Sequence, residues 1–246
     1  MELPGAVVAW FLDPQHWQGN AGIPNRVLEH LILSAVAVAI AAIIGYGTGI
    51  WSGHTGRGGA LAINAANLGR ALPTLAVMGL VVPVTAAMDS QLGFKVYPAL
   101  IGLVALAVPP ILINAHAGVR GVDRETVEAG RAMGMRDRQL LLGLELPLAA
   151  PVLLIGLRSA TSQVIATATL AAIFGGPGLG RYLVEGYAQL DYPQMWAGVI
   201  LVGAVFAVVE LVLAWVQRRI TPVGMNTGSL LPSPDHRRGT VRSEAM

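Results

Sequence analysis

Long stretches without a charged residue dominate this chain. Four of them contain no Asp, Glu, Lys or Arg, and a fifth is interrupted only by Glu210. They cover residues 31–53, 71–88, 96–119, 159–180 and 193–217. A helix needs roughly 20 apolar residues to cross a bilayer, whereas the apolar strands of soluble α/β proteins have about 4–8 residues. The sequence therefore predicts an all-α integral membrane protein.

The composition supports lipid as the solvent of this protein. Hydrophobic residues make up 54% of the 246 positions and charged residues 12%, about half the 25% of an ordinary soluble domain. The absence of cysteine excludes disulfides and thiolate metal sites. The five histidines are never paired at a helical spacing, so no metal site is predicted. The first 25 residues contain no Lys or Arg, and we expect no ordinary signal peptide.

The distribution of arginine and lysine predicts the orientation in the membrane. The expected spanning helices are 28–50, 59–84, 97–116, 149–174 and 195–217. With the amino terminus outside, the inner segments 51–58, 117–148 and 218–246 carry eleven basic residues, and the outer segments carry three. Cytoplasmic loops have the Lys/Arg excess, so we expect five transmembrane helices, N-out and C-in. This placement explains the basic residues without any nucleic-acid partner.

Three regions follow from this topology. Residues 1–27 contain Trp10, Phe11 and Trp17 among polar neighbours, which is typical of an arm at the membrane interface. Residues 28–217 form the predicted transmembrane domain. Residues 218–246, rich in Gly, Ser, Pro and Arg, are predicted to be a disordered cytoplasmic tail.

The long inner loop 117–148 has the pattern of a helix–glycine–helix elbow. Asp123 is suited to cap a first helix, and Gly134 to end it in a left-handed conformation. Asp137 is expected to cap a second short helix, which Pro147 is expected to end. The loop carries no catalytic constellation, so we expect it to be a docking surface and the chain not to be an enzyme itself.

This loop resembles the cytoplasmic signature of the inner-membrane permeases of ABC importers. That signature runs Glu-Ala-Ala, three residues, Gly, nine residues, Ile, one residue and Leu-Pro. The matching positions here are Glu128, Ala129, Gly130, Gly134, Leu144, Leu146 and Pro147. The chain departs from the pattern at Gly130, which replaces Ala, and at Leu144, which replaces Ile.

The resemblance implies a type I importer permease fold in a bacterial inner membrane. It implies that the elbow is the coupling helix, which fits into a cleft of an ABC ATPase subunit. ATP and magnesium would bind to that ATPase, and this chain would hold no cofactor. The further partners implied are a second permease subunit, identical or similar, and an external substrate-binding protein.

Other segments resemble the permeases for glycine betaine, choline, carnitine and proline. They are Glu29-His30-Leu31, Leu72-Pro73-Thr74, Arg158-Ser159-Ala160-Thr161, Thr167-Ala168-Thr169 and 175–180. The similarity covers nearly the whole chain except about the last 25 residues. Because methionine and alkylsulfonate permeases share parts of it, a permease for another small solute is the alternative.

Polar residues within the predicted spans are the candidates for lining the pathway. Arg70 and Arg158 each lie about 15 Å deep at 1.5 Å per residue. An intramembrane charge faces a partner, the bundle interior or a water cavity. Each arginine is therefore expected either to snorkel towards the cytoplasm or pair with Glu210, or to line the cytoplasmic end of the pathway. The full candidate set is Asn67, Arg70, Thr74, Arg158, Thr161, Ser162, Gln163 and Thr167. Small polar residues also join helices to one another, which is the alternative for each.

Two further interpretations are less favoured by the sequence. The glycines at 176, 178 and 180 follow a spanning helix and not a strand, so we interpret them as a turn and not as a phosphate-binding loop. A secondary transporter driven by an ion gradient would need inverted repeats and a midplane ion site, which an odd number of spans and few intramembrane carboxylates argue against. A structural scaffold would leave the elbow unexplained.

Overall fold

The computed structural model describes residues 3–89 and 92–220, and every regular element in these ranges is helical. The helices are α1 (Leu3–Leu12), α2 (Ile23–Thr55), α3 (Gly59–Ala71), α4 (Thr74–Met88), α5 (Leu92–Lys95), α6 (Tyr97–Arg120), α7 (Arg124–Ala132), α8 (Asp137–Leu140), α9 (Leu146–Thr167), α10 (Gly180–Gln189) and α11 (Tyr192–Ile220). Short 3₁₀ segments cover Pro14–Trp17 and Ala168–Phe174, and a π-helical segment covers Leu141–Glu145. The all-α prediction is confirmed.

Four helical segments are long and apolar enough to cross a membrane. They are Ile23–Thr55, Leu92–Arg120, Asp137–Phe174 and Tyr192–Arg219. On α11, Trp196 and Trp215 are nineteen residues apart, about 28 Å at 1.5 Å per residue. This spacing matches the roughly 30 Å hydrocarbon core whose interfaces tryptophan favours.

The second expected span, 59–84, is not one straight helix. It is divided into α3 and α4, which meet at an angle of 91°. Proline disfavours the helical conformation of the residue before it, and Leu72 is accordingly extended with φ −79° and ψ 127°. Pro73 then precedes the first residue of α4. The bent pair lies where the second span was expected, and the structure has four helical segments of membrane length, or up to five if the bent pair is one span.

Glycines bring α2 and α6 into close contact. Gly45, Gly49 and Gly53 recur every fourth residue on the buried side of α2. A methyl group at Gly45 would lie 2.9 Å from Ile111 Cβ, and one at Gly53 would lie 2.9 Å from Val119 Cβ. These contacts show that α2 and α6 run parallel, and spaced small residues of this kind let membrane helices approach closely.

The next helix, α9, packs antiparallel on α6. A methyl group at Gly156 of α9 would lie 2.9 Å from the carbonyl oxygen of Pro110, and one at Gly118 of α6 would lie 3.0 Å from Leu153 Cδ1. The central core includes Leu103 and Ile111 of α6, both fully buried. Thus α6 is the centre of the bundle and packs against both α2 and α9. These two also contact each other, because the Tyr46 hydroxyl of α2 donates to the carbonyl of Leu153 in α9 at 3.0 Å.

The amino-terminal segment, which was expected to be an arm at the membrane interface, packs against other helices. Trp10 of α1 is buried against Tyr182 and Ala197, and the Trp17 indole N–H donates to the carbonyl of Phe11 at 2.8 Å. In addition, α2 begins at Ile23, inside the segment assigned to the arm. Residues 221–246, most of the predicted disordered tail, lie outside the described residues.

Candidate functional site

The first helix of the elbow, α7, begins at the predicted cap. The Asp123 carboxylate accepts hydrogen bonds from the Thr126 backbone N–H at 3.2 Å and from the Thr126 hydroxyl at 3.0 Å. The hydroxyl hydrogen bond is the main reason why the pKa of Asp123 lies below its usual value, with the backbone N–H adding to it. The carboxylate also meets the positive end of the helix dipole. The prediction of this cap is confirmed.

The same helix ends in the way predicted from glycine. Gly134 has φ +82°, in the left-handed region that costs other residues free energy. Its N–H donates to the carbonyl of Arg131 at 2.9 Å, and the N–H of Met135 donates to the carbonyl of Gly130 at 3.1 Å. This pair of bonds is the Schellman arrangement of a helix end. Gly134 therefore stops α7 and turns the chain toward α8.

The second half of the elbow differs from the prediction. Asp137 is not the cap, because Arg136 occupies that position and its N–H donates to the Gln139 side-chain oxygen at 2.9 Å. Pro147 does not end a helix, since the helical path continues from Asp137 to Phe174. Pro147 lies in the first turn of α9, directly after the π-helical segment. The wider π turn relieves the clash of the proline ring with the preceding turn.

The signature residues divide into an inward and an outward group. Gly130 is buried, and a methyl group there would lie 2.7 Å from Leu140 Cδ2 and 3.5 Å from Leu144 Cδ2. The two departures from the family pattern, Gly130 and Leu144, are thus neighbours in space. Leucine side chains fill the space that the methyl group of an alanine at position 130 would take. The outward group is Glu128, Ala129 and Gly134, which are exposed, although Glu128 also borders a cleft towards the ends of α2 and α6. Leu146 is half-buried and Pro147 is exposed.

Arg158 belongs to a polar cluster between α9 and α11. Its Nε donates to Glu210 Oε1 at 2.7 Å, and its Nη1 donates to the Gln217 side-chain oxygen at 3.0 Å. The Ser162 hydroxyl donates to the other oxygen of Glu210 at 3.0 Å. Of the two interpretations of Arg158, the structure therefore shows the pairing with Glu210.

Three other candidate pathway residues lie on the same helix, α9. The Thr161 hydroxyl donates to the carbonyl of Leu157 at 2.9 Å, and the Gln163 amide donates to the Ser159 hydroxyl at 3.2 Å. Thr167 is the last residue of α9 and is half-buried. The hydrogen bonds of Thr161 and Gln163 thus stay within their own helix.

The remaining candidates lie at the break between α3 and α4. Asn67 and Arg70 are exposed on the last turns of α3, and Thr74 is the half-buried first residue of α4. Within 3–89 and 92–220, Arg70 makes no ion pair. The structure therefore does not join these three residues to the cluster around Arg158, which lies on different helices.

The glycine-rich segment 175–180 is a turn, as predicted. Gly175 and Gly178 have positive φ of +72° and +105°. The N–H of Gly178 donates to Glu29 Oε2 at 2.9 Å, and the His30 ring Nε2 lies 3.0 Å from the carbonyl oxygen of Ile165. Glu29 thus holds this turn against α2, and His30 joins α2 to α9.

Two polar residues beside the elbow were not predicted from the sequence. His54, in the last turn of α2, has its Nδ1 2.6 Å from Oε2 of Glu145. Glu145 is 6% exposed and ends the π-helical segment. No local pattern indicates this contact, because the two residues are 91 positions apart.

Comparison with known proteins agrees with these features. Residues 45–222 match the family model of the binding-protein-dependent transport system inner membrane component. The choline transport system permease protein OpuBB of Bacillus subtilis (strain 168) is 33% identical over 212 residues, 86% of this chain and 94% of the relative. The osmoprotectant import permease protein OsmW of Salmonella typhimurium (strain LT2) is 31% identical over 216 residues, 87% of this chain and the whole of the relative.

The fold also has a counterpart among solved structures. A chain of the MetNI methionine ABC transporter, in an inward-facing conformation, superimposes with a TM-score of 0.70. The match covers 85% of this chain and 99% of the other at 21% identity, and so it concerns the fold alone. The family match, the permease relatives and the helical bundle with its signature elbow together show that this chain belongs to the family of inner membrane components of binding-protein-dependent transport systems.

Proposed function

We propose that this permease forms the pathway of an ATP-driven importer for a compatible solute such as glycine betaine, choline, carnitine or proline. The observation that carries the proposal is the elbow, whose outward residues stand free at one end of the bundle. The relatives named for choline and osmoprotectant transport support the substrate class. ATP and magnesium would be bound by a partner ATPase, while this chain would act without a cofactor and without catalysis.

The elbow is the proposed contact with the ATPase. Glu128 and Ala129 are exposed on α7, and Met133 at its end is 77% exposed. Gly130 and Leu144 face the opposite way and attach the elbow to its own chain. An outward face of this kind, carried on a helix with defined ends, suits insertion into a groove on a partner.

The exposed polar face of the bent pair α3–α4 is the basis for proposing a second permease subunit. Asn67 and Arg70 are exposed on α3, inside a segment of membrane length. Polar and charged groups at such depth face a bundle interior or a water-filled cavity and not lipid. A second permease, identical or similar, would cover this face and enclose a pathway lined by Asn67, Arg70 and Thr74.

The charge at the bent pair supports a pathway that releases its substrate readily. Arg70 lies two residues before the break at Leu72-Pro73, and α4 begins at Thr74 with no side-chain cap. A helix amino terminus carries partial positive charge, so both features disfavour tight binding of a cation. Strong binding of a quaternary ammonium usually needs an aromatic cage. Selectivity would then be the task of the external binding protein.

The proposed orientation is N-out and C-in, and labelling of the cysteine-free chain tests it. Ala132 on the elbow and Gln189 at the end of α10 are both exposed. In intact cells, an impermeant thiol reagent should label Gln189→Cys and not Ala132→Cys, while both should react after permeabilisation. The reverse pattern would overturn the orientation and the proposed contact with the ATPase.

Uptake into proteoliposomes tests the function itself. The vesicles would contain the permease, its co-purifying ATPase and its binding protein. We expect uptake of at least one of glycine betaine, choline, carnitine and proline that depends on ATP and on the binding protein. If a sulfonate or methionine enters while these four fail, the substrate class is wrong and the alternative of another small solute holds. Uptake driven by an ion gradient without ATP would overturn the proposed energy source.

A further inference from the structure

A buried hydrogen bond joins α2 to the π-helical segment that follows the elbow. His54 Nδ1 lies 2.6 Å from Glu145 Oε2, with 15% of the His54 side chain and 7% of the Glu145 side chain exposed. Glu145 closes the π-helical segment that follows α8. Interruptions of this kind inside α-helices are frequent at functional sites. A buried carboxylate that lost its partner would be costly, so the contact holds these two elements in a defined relation.

The first helix of the elbow stands away from the bundle. A cleft of about 140 Å³ separates α7 from the ends of α2 and α6. Its lining is polar and includes Arg120, Arg124, Glu128 and Arg131, with His54 and Glu145 at the bundle side. Movement of α7 can therefore reach the elbow end of α2 through α8, the π-helical segment and the bond between Glu145 and His54. A second route to α2 runs through the packing of α9 on α6 and the hydrogen bond from Tyr46 to the carbonyl of Leu153.

The far end of α2 is attached as well. There Glu29 accepts the N–H of Gly178 at 2.9 Å, and His30 lies 3.0 Å from the carbonyl oxygen of Ile165. Glu29 and His54 are 25 positions apart on α2, about 38 Å at 1.5 Å per residue. The helix spans the bundle from the elbow to the glycine-rich turn, and a rigid helix of this length transmits displacement from one end to the other.

We propose that the bond between His54 and Glu145 is the joint through which movement of the elbow reaches α2 and, through it, the opposite end of the pathway. The two residues are coupling residues outside the family signature, and the inference rests on the proposed function. With the joint intact, the elbow and α2 move as one body during the ATP cycle. Without it, the elbow still docks on the ATPase, but its movement is passed to α2 only through the packing of α9 and α6, and the elbow end of α2 no longer follows it closely.

Four variants separate this role from simple stability. His54→Leu and Glu145→Leu each remove one partner, and the double variant replaces both by apolar groups, which is often neutral for stability. His54→Asn keeps an N–H donor near the position of Nδ1. Thr48→Val is the control, because its hydroxyl bonds only within α2, to the carbonyls of Ile44 and Gly45.

Two readouts apply to the assembled complex in proteoliposomes. The first is solute uptake per ATP hydrolysed, which should fall about tenfold in both single leucine variants and in the double variant, a typical size for coupling between sites. It should stay near wild type in His54→Asn and Thr48→Val. The second does not depend on the substrate: spin labels at Leu28→Cys and at Arg138→Cys, which is exposed on α8, report the distance between α2 and the elbow. In wild type this distance should not change on trapping with ATP and vanadate, and in the double variant it should change.

The outcomes separate the inference from the proposed function. Wild-type uptake per ATP in the assembled double variant, with an unchanged distance between the labels, would overturn the joint while leaving the proposed function standing. A loss in His54→Asn as large as in His54→Leu would overturn it too, because the donor is retained. A wild-type complex that recruits no ATPase would overturn the proposed function, and the inference with it.

Discussion

Replacement of Gly134 by valine is expected to lower ATP-dependent uptake at least about tenfold without preventing membrane insertion. Gly134 has φ +82°, and a methyl group there would meet no atom within 4 Å. The penalty is therefore one of backbone conformation and not of packing. For a residue with a side chain the left-handed conformation costs about 1–2 kcal/mol, and a β-branched residue is especially unsuited to it. The elbow would open at its turn, and α7 would leave its docking orientation.

The controls for this prediction use the same position and another glycine. Gly134→Asn should retain most uptake, since asparagine tolerates the left-handed conformation. Gly47→Val should be harmless, because a methyl group at Gly47 also meets nothing within 4 Å and its φ is not positive. Uptake by proteoliposomes and co-purification of the ATPase are the measurements. Wild-type uptake in Gly134→Val would show that the turn at Gly134 does not hold the coupling element.

Replacement of Arg158 by leucine is expected to destabilise the folded permease. The change leaves the Glu210 carboxylate, 28% exposed, without its guanidinium partner between α9 and α11. A charged side chain at the centre of a membrane helix costs about 2.5–3.5 kcal/mol. Because Arg158 is itself 37% exposed, we expect an effect at the lower end of this range. In detergent, the midpoint of thermal unfolding should fall by about 5 °C.

A double variant tests whether this loss comes from the broken pair. Arg158→Leu/Glu210→Leu removes both charges, and its stability should return close to that of wild type. An Arg158→Leu protein as stable as wild type would contradict the stabilising role of the pair. Uptake by the double variant tests whether the paired cluster of Arg158 and Glu210 also lines the pathway. Retained uptake indicates that the cluster joins α9 to α11, and loss of uptake in a stable double variant indicates that it lines the pathway.

The helical class and the ends of α7 could be predicted from the sequence because their causes are local. Long charge-free runs have few ways to satisfy their backbone polar groups in lipid other than a helix. The cap at Asp123 and the turn at Gly134 depend on residues within five positions of each other. The break before α4 also has a local cause, the pair Leu72-Pro73. Proline alone does not predict such a break, however, because other prolines do not divide their helices. Pro83, Pro110 and Pro151 all lie inside helices.

By itself, then, the sequence determined the membrane-length helices, the family signature and the local geometry of α7. Only the tertiary structure decided the 91° angle at the break, the continuation of the helix through Pro147 and the partners of the buried polar groups. Glu145 meets His54 across 91 positions, and Glu29 meets Gly178 across 149. The physical reason is that a buried carboxylate must find a partner wherever the packing of the helices brings one. That packing is set by close approaches such as that of Gly45 to Ile111, which no local pattern specifies.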